Sequence, residues 1–486
     1  MQKSWQPKPG DAVVRRPRQS EIAPVRMHVE RRSVSARGPT SPMLLVYGFL
    51  TIILVGTLLL FLPWANTGEG FTPFLTALFT ATSAVTVTGL VVVDTDVAWT
   101  PFGQAVTMVL FIVGGLGFMT GAAFLIVIVG QRIGLQSQLV IREGLGGGQL
   151  GAVTSLVRNI VIMALGIQVV GTLLLFAQWY VFGALWEGIS AGSAMWHSLY
   201  HATSAFNNAG FDILPDETVG GASLIGFSSN YTVLLTMGLL IVLGGLGYSV
   251  LRDVVVIRRF ARFRLDTKLV LIGSAGLVVL GAAVFLAEDW ANPGTIGDRS
   301  VGGKAAEALF DSAAARTAGF TTIDYSATAP NRAITTEVLM FIGGASASAA
   351  GGIKINTFMV ILIAVLANVR GRRRTTAFGR EIPDLNVKRA MVVATVAAFT
   401  VVLFITLVVS VQPELPFRDA VFETVSAFGT VGLSTGITPD LNAAARIVLI
   451  VAMFVGRFGP LTFALLMTGR EAREPFRLPE ERVRIG

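Results

Sequence analysis

Residues 200–211 read YHATSAFNNAGF, and three other stretches can be laid over them: FTATSAVTVTGL at 79–90, LFDSAAARTAGF at 309–320 and FETVSAFGTVGL at 422–433. A Ser/Ala-rich lead, a small residue before the glycine and an apolar residue after it recur. Gly89, Gly210, Gly319 and Gly432 thus repeat about every 115 residues, and self-similarity of that kind decides a fold before any local reading does.

Outward from these stretches lie long apolar runs. Met43–Leu62, Phe102–Gly130, Ile160–Phe182, Tyr231–Ile257, Leu269–Ala287, Ala333–Ala367, Ala390–Val411 and Ala443–Met467 each suit the roughly 20 residues that cross hydrocarbon as a helix. The chain has 486 residues, 53% hydrophobic and 14% charged, too little charge to cover a soluble surface. The expectation is an all-α integral membrane protein. Eight transmembrane helices form four helix–pore-loop–helix repeats, with pseudo-four-fold symmetry around a central pore. The expected boundaries are 1–41 (a disordered, basic, Pro-rich cytoplasmic arm), 42–130, 131–257, 258–368 and 369–470 (the four repeats), and 471–486 (a cytoplasmic tail).

The charge has a topology. Basic residues crowd into Arg15–Arg37, Arg252–Lys268, Arg370–Arg389 and the tail after Arg470, while alternate connections carry Glu69, Asp94, Asp96, Asp216, Glu288, Asp289 and Asp440. This is the positive-inside pattern, with both termini cytoplasmic; the +8 net charge marks topology first, and contact with anionic lipid or a cytoplasmic partner second, rather than nucleic acid. No cleavable signal is evident, since the first apolar run is too long and no A-x-A site follows it. There are no cysteines, which excludes disulfides and thiolate chemistry, and three scattered histidines, His28, His197 and His201, make a poor metal set.

The segments before the glycines are apolar but too short to span; Trp196–Phe206 and Phe417–Phe428 suit helices that enter the membrane and turn back. Non-helical backbone at membrane depth must be buried in protein or line a wet cavity. Four such turns around one axis offer rings of carbonyl oxygens that can replace an alkali cation's hydration shell. Glycine permits the backbone angles that aim carbonyls inward, and the negative C-terminal ends of the half-span helices favour a cation. No acidic ring stands at the four glycines; Asp311 and Glu423 precede the turns and read as helix-start residues.

A second register follows: Gly114-Gly115, Gly244-Gly245, Gly343-Gly344 and, in the fourth repeat, Gly456-Arg457. Glycines alone could mean close helix packing. Packing does not explain one arginine among four equivalent positions. Arg457 is expected either to bridge to Glu423 or another acid, holding the fourth repeat in place, or to place a fixed positive charge below the filter.

These motifs carry a resemblance. The turns TVTGL (86–90), FNNAGFD (206–212), RTAGF (316–320) and TVGLSTG (430–436) resemble the four filter sequences of the Trk/Ktr/HKT superfamily of potassium transporters. GGASASAAGGIK (343–354) resembles that family's intramembrane gating loop, and Gly456-Arg457 its arginine below the filter. With eight spans and no extra N-terminal pair, the chain is most similar to the KtrB branch, the membrane subunits of Ktr potassium uptake systems. The resemblance implies potassium sites at Val87, Thr88, Asn208, Ala209, Thr317, Ala318, Thr430 and Val431, beside Gly89, Gly210, Gly319 and Gly432. It implies gating by Gly343, Gly344, Ala347, Ser348, Gly351, Gly352, Lys354 and Arg457. Ala347, Ala349 and Ala350 stand where relatives carry hydroxyls. The resemblance also implies a homodimer in the cell membrane on a cytoplasmic RCK regulatory subunit of the KtrA kind, with nucleotide on that partner only. It implies K+ as the transported ion, with Na+ open as a coupling or activating ion and no covalent cofactor. In the family a serine for the first filter glycine accompanies sodium transport, so Gly89 favours potassium.

Two other classes stand beside this one. A sodium or mixed sodium/potassium transporter would share the fold. A membrane-embedded enzyme would need a Ser/His or carboxylate pair on facing spans, which the sequence does not offer. GLGGGQLG (144–151) lacks the Gly-Lys-Ser/Thr ending of a phosphate loop and reads as a linker. His197 and His201 read as pore-helix packing or a polar vestibule, and Lys354 either snorkels to the cytoplasmic side or contacts the pore.

Overall fold

A computed structural model describes residues 41–116, 153–183, 188–215, 223–346 and 348–458. The expected N-terminal arm, the 144–151 linker, Ala347 and the C-terminal tail lie outside the described residues. Fourteen helices of ten residues or more carry the described fold. In chain order they are α1 Ser41–Phe61, α2 Phe74–Thr86, α3 Pro101–Gly115, α4 Val153–Phe176, α5 Ala191–Phe206, α6 Tyr231–Leu246, α7 Tyr248–Ile257, α8 Leu265–Asp289, α9 Val301–Ala314, α10 Pro330–Phe341, α11 Ile355–Val369, α12 Asp384–Val411, α13 Phe417–Gly429 and α14 Ala443–Phe458.

Helix starts are written locally. Thr100 caps α3 by accepting from the Gly103 N–H at 3.3 Å, with Pro101 at the first helical position. Ser190 caps α5, Asn230 caps α6, Ser300 caps α9 and Asn442 caps α14 in the same way. Outward faces are apolar where a soluble protein would be charged: Leu54 and Leu58 on α1, Val169 and Leu173 on α4, Val279 and Leu280 on α8, Phe399 and Leu403 on α12 are exposed. Helices apolar on all sides belong in hydrocarbon. By length and composition three described helices can cross a membrane: Val157–Val181, Leu265–Asp289 and Asp384–Val411.

One expected span bends where the sequence reading placed no break, and another is interrupted where the 343–354 loop was expected. Tyr231–Ile257 divides at Gly247 into α6 and α7, bent by 100°. Gly247 takes φ +76°, ψ 153°, a conformation only glycine adopts cheaply, and this is why a continuous apolar run turns there. Ala333–Ala367 is interrupted between α10 and α11. Ile342 and Ile353 pair as a parallel bridge, with the Gly343 N–H donating to the Ile353 carbonyl at 2.8 Å and the Ile353 N–H to the Phe341 carbonyl at 3.2 Å.

With the four expected repeats taken as quarters, α2 packs against α1 and α3, α5 against α4 and α6, and α13 against α12 and α14, while α9 packs against α8 of its own quarter and α6 of the second; each ends in a buried turn. Tyr200 on α5 joins the first two quarters, edge-on to Phe111 of α3 at 5.4 Å and within 3.0 Å of the Thr107 hydroxyl. The third quarter is pinned by Arg332, fully buried on α10, which reaches Asp311 on α9 at 3.3 Å and Asp289 on α8 at 3.6 Å. Its guanidinium lies over the Phe285 ring. A buried charge is tolerable only when paired in this fashion.

Candidate functional site: four turns around one axis

The helices α2, α5 and α13 end alike. The Val87 N–H donates to the Ala84 carbonyl (3.1 Å) and the Thr88 N–H to the Ser83 carbonyl (2.8 Å). Asn208 and Ala209 bond to Ala205 and Ser204, and Thr430 and Val431 to Ala427 and Ser426, in the same 5→2 and 6→1 pattern. This helix stop requires a left-handed residue, usually glycine. Here the residue is Val87 (φ +58°), Asn208 (+55°) or Thr430 (+50°). β-Branched residues are strained there, so the surroundings must over-determine the turn. The third turn differs: Ala318 bonds back to Ala314, and Thr317 sits at φ +87°. Two residues on, all four turns return to positive φ at Gly89 (+90°), Gly210 (+70°), Gly319 (+74°) and Gly432 (+95°).

The four glycines close a ring. A Cβ built on Gly89 would stand 2.5 Å from the Ala209 carbonyl oxygen and 3.0 Å from Gly210 Cα. One on Gly210 would meet the Ala318 oxygen and Gly319 Cα, both at 2.9 Å. One on Gly319 would meet the Val431 oxygen at 2.7 Å and Gly432 Cα at 3.3 Å. One on Gly432 would strike the Thr88 oxygen and lie 3.0 Å from Gly89 Cα. The order 89, 210, 319, 432 and back to 89 brings together the turns the sequence aligned. Val87, Thr88, Asn208, Ala209, Thr317, Ala318, Thr430 and Val431 are buried beside it. The Asn208 amide and the Thr317 hydroxyl, 3.3 Å apart, link neighbouring turns.

Against this ring lies the interruption between α10 and α11. A Cβ on Gly351 would strike the Thr430 hydroxyl, and one on Gly343 would lie 3.4 Å from Thr317 Cγ2. The loop is bonded through its main chain: Ala345 N–H to the Gly245 carbonyl (2.9 Å) and Ala349 N–H to the Gly244 carbonyl (3.3 Å). Ser348 Oγ donates to the Ala345 carbonyl at 2.7 Å, and Lys354 Nζ to the Ala350 carbonyl at 2.6 Å. Lys354 therefore closes the loop on itself. Gly352, at φ +62°, and Gly344, 2.8 Å by its built Cβ from the Gly245 oxygen, allow the close approach.

Arg457 does not bridge to Glu423. Its guanidinium donates to the Ala349 carbonyl of the loop and to the Gly114 carbonyl at the end of α3. Nor are Asp311 and Glu423 helix-start residues. Asp311 lies near the end of α9 and Glu423 in the middle of α13, both fully buried. The paired-glycine register serves packing: built Cβ atoms on Gly114, Gly244 and Gly456 would strike the carbonyl oxygens of Val85, Phe206 and Phe428, at matching places on α2, α5 and α13.

One residue escaped the sequence reading. Arg316, buried immediately before Thr317, donates to the Gly343 carbonyl (3.1 Å) and to the Ser274 carbonyl on α8 (3.3 Å). It borders a cavity of about 320 Å³ lined also by Asn208, Ser274 and Gly344. An arginine inside an otherwise Ser/Ala-rich turn was the available signal. Among the described residues no cluster of His, Asp and Glu is arranged to hold a metal ion. His197 and His201 stack within α5.

The TrkH family profile, described as cation transport protein, matches residues 44–471. The chain is 39% identical over 447 residues to Ktr system potassium uptake protein B of Bacillus subtilis, covering 92% of this chain and 97% of the relative. It is 36% identical over 449 residues to potassium/sodium uptake protein NtpJ of Enterococcus hirae, covering 91% and 96%. In Vibrio alginolyticus, Ktr system potassium uptake protein B is 35% identical over 450 residues, with 92% and 95% covered. The fold is similar to the crystal structure of the potassium transporter TrkH from Vibrio parahaemolyticus, with a TM-score of 0.69 at 18% identity, covering 90% of this chain and 87% of that one.

Proposed function

The chain belongs to the TrkH family of cation transport proteins, and we propose that it is the potassium-translocating membrane subunit of a Ktr-type uptake system. The observation that carries this reading is the closed ring of four positive-φ glycines, each abutting the carbonyl oxygen of the next turn. A dehydrated alkali cation on that axis would exchange its water for the carbonyls of Val87, Thr88, Asn208, Ala209, Thr317, Ala318, Thr430 and Val431. The C-terminal ends of α2, α5, α9 and α13 converge on the same place and add negative potential. Ring carbonyls cost no reorganisation when the ion arrives, because the buried turns already hold them.

In this reading the eight apolar runs span the cell membrane as four pseudo-symmetric repeats with both termini cytoplasmic. The 343–354 loop, with Gly343, Gly344, Ala347, Ser348, Gly351, Gly352 and Lys354, closes the path below the ring, and Arg457 holds it through Ala349. Two copies form the membrane unit on a cytoplasmic RCK subunit that carries the nucleotide; the naming of relatives after Ktr systems supports the multi-component part of this reading.

Expression in a bacterium stripped of its own potassium uptake tests this. The reading expects growth restored at low potassium, and 86Rb+ or K+ flux in vesicles that competing Na+ does not displace. Flux carried equally by Na+ would favour the mixed reading suggested by the potassium/sodium relative. Absence of any cation flux, with the RCK partner present, would overturn both.

A further inference from the structure

The main chain past each ring glycine needs its own support, because it leaves the pore helix and runs outward without secondary structure. In three turns the amide three residues beyond the glycine is caught by a pore-helix side chain. The Ile213 N–H, three after Gly210, donates to His201 Nε2 at 3.3 Å. His201 Nδ1 is 2.7 Å from the His197 carbonyl, so it carries the proton and leaves Nε2 as the acceptor. The Thr322 N–H, three after Gly319, donates to Asp311 Oδ1 at 3.2 Å, joined by the Thr322 hydroxyl at 3.0 Å. The Thr435 N–H, three after Gly432, donates to Glu423 Oε1 at 3.1 Å, and Glu423 also accepts from the Ser434 and Thr438 hydroxyls. All three acceptors are fully buried.

His201 and Glu423 stand nine residues before their glycines, and Asp311 eight, in the turn whose helix stop also differs. The corresponding residue of the first turn is Thr80, whose buried hydroxyl finds no hydrogen-bond partner. An imidazole and two carboxylates of different length make the same bond to the same place. A purely structural polar residue would have no reason to repeat that target.

Resting on the filter reading above, we propose that His201, Asp311 and Glu423 are positioning residues for ion selection: each fixes the outer limb of its turn and thereby the ring's aperture, leaving the first turn the unbraced one. What they supply is an acceptor at a set reach, not a charge. Glu423 separates the two, because it has no cationic partner among the described ion pairs.

The test uses the full-length protein in vesicles with Glu423→Gln, which keeps the reach and loses the charge, and Glu423→Asp, which keeps the charge and shortens the reach. K+/Na+ flux preference and hydrogen exchange of the 433–438 amides are both read. Glu423→Gln should hold wild-type preference within about twofold, while Glu423→Asp should lose about tenfold and exchange the Thr435 amide faster. A Gln variant as unselective as Asp, or an Asp variant with unchanged preference or exchange, overturns the proposal. Absence of flux in the wild type would instead overturn the filter reading, while the exchange measurement still reports on the brace.

Discussion

The ring and the layer of second-helix glycines beneath it answer opposite demands. In the ring, four different sequences reach one backbone geometry: positive φ at Val87, Asn208, Thr317 and Thr430, and again at the four glycines. In the glycine-pair register, nearly identical residues find four different neighbours. Gly115 abuts Asn207, Gly245 takes an N–H from Ala345, Gly344 abuts Ala350, and Arg457 reaches Ala349 and Gly114. Coordinating a spherical ion asks for equivalent carbonyls from every side. Closing a path asks for a side that can move, and among the described residues the corresponding helix is bent at Gly247 in the second quarter and opened into the 343–354 loop in the third. Symmetry is kept where the ion would be bound and broken where passage would be controlled.

The sharpest way to break that comparison is to spoil the ring. Gly432→Ala puts a Cβ against the Thr88 oxygen in a backbone conformation costing an L-residue about 1–2 kcal/mol. Potassium uptake should fall to background. Gly89→Ser, aimed at the Ala209 oxygen, should leave residual flux but reduce K+ over Na+ preference by about tenfold, seen as a shifted reversal potential. Selective, wild-type transport by either variant would remove these glycines from the ion path.

The loop comes next in expected effect. Removing its centre, residues 346–349, should raise basal flux severalfold and blunt regulation by the proposed RCK partner, read as flux with and without that partner. Full regulation in a folded deletion would assign the gate elsewhere. Arg457→Ala removes two donors to main-chain carbonyls, each worth about 1.5–3 kcal/mol for a charged group. It should free the loop in part: flux rises less than in the deletion, and size-exclusion chromatography shows the oligomer intact. Loss of assembly would mean that the arginine serves packing between quarters.

The ring was legible in the sequence because its requirement is local. A glycine must sit where φ is positive, and the pore helix before it must be short and apolar. The floor was less legible because its contacts are between quarters. Arg457 stood out as the odd residue of its register, but an acceptor on Ala349, 108 positions away, and another on Gly114 leave no mark on composition or period. Main-chain carbonyls are invisible to a reading that pairs arginine with acids, which is why Glu423 was the expected partner. Asp311 and Glu423 were placed at helix starts for a related reason: acids favour that end, yet these two face outward limbs that the sequence does not position. The bend at Gly247 was hidden by an unbroken apolar run, in which one more glycine among many carries no signal.

The finest distinction lies within one glycine pair, Gly244-Gly245, whose members the sequence cannot rank. A Cβ on Gly244 would strike the Phe206 carbonyl and stand 2.8 Å from the Asn208 amide, both part of the second turn. The helix cannot back away without losing its bond from Ala349, so Gly244→Ala should cost about 1–3 kcal/mol of overpacking and depress uptake. A Cβ on Gly245 would meet only the Asn208 amide at 3.6 Å, an ordinary contact. The bond this residue makes, from the Ala345 N–H at 2.9 Å, uses its carbonyl and survives any side chain. Alanine is also the better helix former by about 0.8–1.0 kcal/mol. Gly245→Ala should therefore be neutral or slightly stabilising in thermal unfolding, with uptake unchanged. Equal damage from both would mean that the floor needs glycine at Gly245 for motion rather than for space. The loop's anchor on α6 would then be a moving part, and the asymmetry beneath the ring would extend into the second quarter.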